Sequence, residues 1–69
     1  MKALKPNYKV SESVKFTINN ESNTGTIVVV DKGVFEDPYN VYYDIEAFIP
    51  GTNELCWYKH IPETNVELI

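Results

Sequence analysis

The chain is expected to be all-β: a small five-stranded barrel, closed or nearly closed, with a short 3₁₀ turn before its last strand. Three observations predict this class. Apolar and polar residues alternate with period two in the runs around Val14–Ile18 and Val41–Phe48. β-branched and aromatic residues are concentrated between turn signals. No window carries the apolar stripe of an amphipathic helix. Closure into a barrel would also dispose of the free edges of so small a sheet.

The elements follow in order. Residues 1–9 contain Pro6 and mix polar with apolar types, so they are expected to form a flexible N-terminal arm, with the domain spanning 10–69. Val14-Lys15-Phe16-Thr17-Ile18 reads as a half-buried strand, followed by a polar loop over Asn19–Asn23. Thr24-Gly25-Thr26-Ile27-Val28-Val29-Val30 is the most β-branched run in the chain. Its Gly25 permits a bulge or the close approach of another backbone. Asp31-Lys32-Gly33 is expected to end that strand, with a loop reaching Asp37-Pro38.

The third strand, Val41–Phe48, offers a core face of Val41, Tyr43, Ile45 and Ala47. Pro50-Gly51-Thr52-Asn53 is a turn, since Pro presets φ and Gly tolerates positive φ. It leads into a fourth strand, Leu55–Ile61. Strict alternation there places Trp57 in the core with Leu55 and Ile61, and turns Tyr58 and His60 outward. Pro62 has no N–H to give a ladder, so Pro62-Glu63-Thr64 should turn as a 3₁₀ segment. Val66 and Leu68 then close the sheet.

With these strands placed, the chain resembles the SH3-like barrel superfold, in the manner of bacterial SH3, KOW and Tudor-like domains. The residues that carry the resemblance are Val14-Lys15-Phe16, Gly25-Thr26-Ile27-Val28, Tyr43-Asp44-Ile45, and Ile61-Pro62 followed four residues later by Val66. They encode barrel geometry. The acidic and aromatic motif of peptide-binding SH3 domains is missing, and the basic context of KOW domains is replaced by an acidic one. The resemblance therefore implies a fold and no activity.

Charge narrows the function classes. Ten acids against six lysines, with no arginine, give a net charge of −4. Nucleic-acid binders usually present a basic face with arginine among the contacts. Nucleic acid is thus the alternative partner, requiring a lysine patch around Lys15, Lys32 and Lys59, and a protein or peptide is the expected one. Seven Asn, six Lys and no Arg also suggest an A+T-rich coding sequence, compatible with a low-G+C bacterium or its phages. The lone Cys56 and the lack of a signal-like or membrane-spanning apolar run lead to the expectation of a cytoplasmic protein, outside the membrane, monomeric or weakly dimeric.

No catalytic residue, metal site or cofactor is expected. Cys56 and His60 lie four apart on a strand, roughly 13 Å between α-carbons and too far for a nucleophile–base pair. The nine aromatics are numerous for 69 residues. Most belong in the core or in cross-strand pairs. Tyr42, Tyr58, Tyr39 and Phe35 are the candidates for a binding surface, with Asp44 and Glu46 on one strand face to steer a basic partner.

Overall fold

In the computed structural model the described residues are 6–34 and 37–69, the side chains of 32–39 excepted. The elements are β1 (Ser13–Ile18), β2 (Glu21–Val34), β3 (Asp37–Phe48), β4 (Leu55–Pro62), a 3₁₀ turn η1 (Glu63–Asn65) and β5 (Val66–Leu68). All pairings are antiparallel, and the strand order is β4-β3-β2-β1-β5. No helix among the described residues is long and apolar enough to cross a membrane.

Two expected loops are much shorter in the structure. Asn19 and Asn20 alone make the β1–β2 turn, at φ 51° and 66°. Asparagine tolerates this left-handed region, which a two-residue hairpin requires. Its register, Ile18 opposite Glu21, lets β2 begin inside the expected loop. At its other end β2 runs through Asp31-Lys32-Gly33 to Val34, and β3 resumes at Asp37. Strands of 14 and 12 residues at about 3.3 Å per residue account for an elongated molecule of 44 × 20 × 17 Å.

The core face is Val14 and Phe16 of β1, Ile27 of β2, Val41, Tyr43, Ile45 and Ala47 of β3, Ile61 of β4 and Val66 of β5. All four residues expected on the buried face of β3 are there. The sheet curls over this face. Phe16 and Tyr58 have ring centroids 5.2 Å apart, although their strands stand three places apart and would be about 14 Å apart in a flat sheet. Gly25 allows the curl. A Cβ on it would lie 2.6 Å from the Glu46 carbonyl oxygen, so the close backbone approach foreseen for this glycine is realised.

The expected closure of the barrel is not. Among the described residues β4 and β5 do not pair, and the sheet is open between them. Pro62 ends β4 without a donor, and η1 carries the chain around the gap. The segment before β1 instead ties β3, η1 and β5 together. Tyr8 packs on the core with its ring 5.6 Å from that of Tyr43, edge to face. Its hydroxyl donates to the Val66 carbonyl at 3.0 Å, and its N–H donates to the Tyr43 hydroxyl at 3.2 Å. The Tyr43 hydroxyl donates to Glu63 Oε2 at 2.6 Å, and that oxygen also accepts the Asn7 N–H. Burial, and then the bond to Glu63, push the Tyr43 phenol above its ordinary range. Leu68, expected to seal the barrel with Val66, is 63% exposed.

Candidate functional site

Three large exposed apolar side chains lie on the outer face of the β3–β4 hairpin. Register and alternation put them there. Phe48 stands opposite Leu55, and Glu46 opposite Trp57. Both pairs point away from the core, because the neighbouring Ala47 and Ile45 point into it. Phe48, Leu55 and Trp57 are 57%, 56% and 51% exposed. Glu46 continues the row to Thr26 on β2, and Thr26 to Ser13 on β1. A shallow hollow of about 360 Å³ opens on this side, lined by Ser13, Thr24, Thr26, Glu46, Phe48 and Leu55 among others. Three large exposed side chains on adjacent strands form a patch, which isolated surface apolar residues do not.

Trp57 and Tyr58 exchange the places that strict alternation gives them, and a β-bulge is the reason. Tyr43 faces Ile61 and Ile45 faces Tyr58, so Lys59 and His60 together oppose Asp44. His60 takes φ 60°, a left-handed conformation costly for a residue with a side chain. Its N–H donates to Asp44 Oδ1 at 3.0 Å. Its ring stacks on Tyr42, centroids 3.8 Å apart and planes within 8°. The extra residue inverts the alternation. Ile61 points inward after the bulge, whereas Cys56 and Tyr58 take the inner side before it and Leu55 and Trp57 the outer. Tyr58 consequently packs half-buried on Phe16 and the core.

The sequence candidates are thus dispersed. Tyr42 and Asp44 meet at the bulge with His60. Glu46 joins the apolar patch, and Tyr58 turns inward. Phe35 lies outside the described residues, and Tyr39 lies in β3 with its side chain outside them. Phe48 and Leu55 were not among the candidates. Their signal was their place flanking the Pro50-Gly51 turn, which pairs them on one face whatever their register with β2.

Among the described residues no group of three or more His, Cys, Asp or Glu is placed to hold a metal ion. Cys56 is a half-buried free thiol. Lys15 is paired with Glu67 at 3.7 Å, both side chains well exposed. The chain matches no family model, and neither a curated protein nor a solved structure is significantly similar to it.

Proposed function

We propose that this chain is a non-catalytic interaction module that takes a basic protein or peptide segment on the outer face of its β3–β4 hairpin. The observation that carries the reading is the grouping of Phe48, Leu55 and Trp57 around Glu46 on one exposed face of an acidic protein. Exposed aromatics next to a carboxylate suit lysine or arginine, which can lay an alkyl stem on Trp57 and its charge over the ring. The net negative charge of the chain steers such a partner and slows unlike ones. A reducing compartment, the cytoplasm, fits the lone Cys56. The strand order and the 3₁₀ turn before β5 support an SH3-like reading of the curled sheet.

Trp57 is the only tryptophan, so its fluorescence reports on the patch directly. A short peptide alternating lysine with valine should shift its emission to the blue, with an affinity that falls as salt rises. The same peptide with glutamate for lysine should not. Phe48→Ala combined with Leu55→Ala should weaken the response without unfolding the chain. An unchanged Trp57 emission, or an equal response to the acidic peptide, would remove the proposal.

A further inference from the structure

The β4 strand lies at one end of the sheet, so one of its two edges has no strand beside it among the described residues. Its backbone phase can be read from the turn. The Ile49 N–H bonds the Glu54 carbonyl at 2.8 Å, and in an antiparallel ladder bonded and non-bonded pairs then alternate. Ala47/Cys56 and Ile45/Tyr58 are the bonded pairs, whereas Phe48/Leu55 and Glu46/Trp57 are not. The N–H and C=O of Leu55 and Trp57 are therefore directed away from β3, to the open edge. The same two residues carry their side chains on the exposed outer face.

The opposite end of the sheet is a poorer template. β5 has three residues, and the Val66 carbonyl is taken by the Tyr8 hydroxyl. On β4 the usable edge stops at Tyr58. Beyond it the bulge breaks the ladder, and the His60 N–H is already given to Asp44. A bulge and an adjacent lysine are common ways to blunt an edge against indiscriminate pairing, and here Lys59 and His60 protect only the far half.

We infer that the partner binds by strand addition: an extended basic segment pairs with Leu55–Tyr58 through main-chain hydrogen bonds. The inference deepens the interaction reading and rests on it. Alternate side chains of such a segment meet different surroundings. Those on the outer side lie beside Leu55 and Trp57, with Glu46 in the next position of the row, which suits lysine or arginine. Those on the inner side lie beside the half-buried Cys56 and Tyr58, which suits valine or isoleucine. A second copy of this chain fits less well, because its own net charge of −4 opposes self-association.

The test uses the lysine–valine peptide and a version N-methylated at the positions that would donate to β4. Amide hydrogen exchange of Leu55 and Trp57 is followed by NMR, beside Trp57 fluorescence. Strand addition predicts that the unmodified peptide protects both amides and that methylation weakens binding about tenfold or more. If both peptides shift Trp57 equally and neither protects the amides, strand addition is wrong while the interaction reading stands. If neither peptide perturbs Trp57, the interaction reading fails and takes this inference with it. Protection of both amides without peptide, together with a dimer in sedimentation, would give the edge to a second copy and overturn the proposal.

Discussion

Leu55–Tyr58 and Ile61–Pro62 belong to one strand, pair with one neighbour and follow opposite alternation. In the first half the odd-numbered residues face water, and in the second Ile61 is buried. One extra residue, held in a left-handed conformation by an aspartate across the strand, separates them. The comparison teaches that a short bulge can turn a would-be core tryptophan into a surface one. It does so by setting two residues, Lys59 and His60, against the single Asp44.

Deleting His60 removes the difference between the two halves of β4 most directly. The two halves would then share one phase, and either Ile61 leaves the core or Leu55 and Trp57 enter it. The expected cost is at least that of Ile61→Ala, about 2–5 kcal/mol, read as a large fall in the urea midpoint or as loss of folding. Trp57→Ala on the other half should change stability by only about 0.5 kcal/mol. Equal costs for Ile61→Ala and Trp57→Ala would mean that the halves do not differ.

Gly25→Ala probes the buried side of the same hairpin from β2. Its added methyl meets a backbone carbonyl and the side chains of Ile45 and Ala47. Overpacking of this kind costs about 1–3 kcal/mol, measurable as a lowered thermal midpoint.

Tyr43 sharpens the contrast between inside and outside through pH. Its folded pKa is raised, so below about pH 10 both folded and unfolded forms keep the proton and it adds no pH dependence. Above that the unfolded chain releases the proton first, and stability should fall by up to about 1.4 kcal/mol per pH unit. Tyr43→Phe should flatten this share of the alkaline slope in urea titrations. An unchanged slope would show that the phenol is not held neutral by its surroundings.

Asp44→Ala addresses the lock of the bulge. Loss of the acceptor for the His60 N–H should cost about 1 kcal/mol, and Asp44→Asn should recover most of it. The expected readout is faster amide exchange at His60 in the alanine variant only.

Much of the fold was legible because each element carried its own local cause. Period two marked β1 and β3, Pro50-Gly51 marked the hairpin, and Pro62 marked the 3₁₀ turn. The buried face of β3 was correct at every position. What escaped depended on partners distant in sequence. The bulge at His60 needs Asp44 opposite it, and histidine lacks the glycine signature of a left-handed residue. The long β2–β3 hairpin escaped because Asp31-Lys32-Gly33 looks like a turn and is carried by its pairing with β3. The candidate surface depends on the same bulge: strict alternation along β4 turns Tyr58 outward and Leu55 and Trp57 inward, whereas the structure does the reverse.

The ties of Asn7 and Tyr8 to β3, η1 and β5 have a consequence for synthesis. Asn7 and Tyr8 leave the ribosome more than fifty residues ahead of Glu63 and Val66, which they bond. Until Val66 emerges the nascent chain can hold the β1–β2 and β2–β3 hairpins and the contact of Tyr8 with Tyr43, but the bonds of this segment to Glu63 and Val66 are not all made. These ties are therefore complete only when stretches more than fifty residues apart meet. A fusion, tag or nick that disturbs one of them will be felt as fraying at the other.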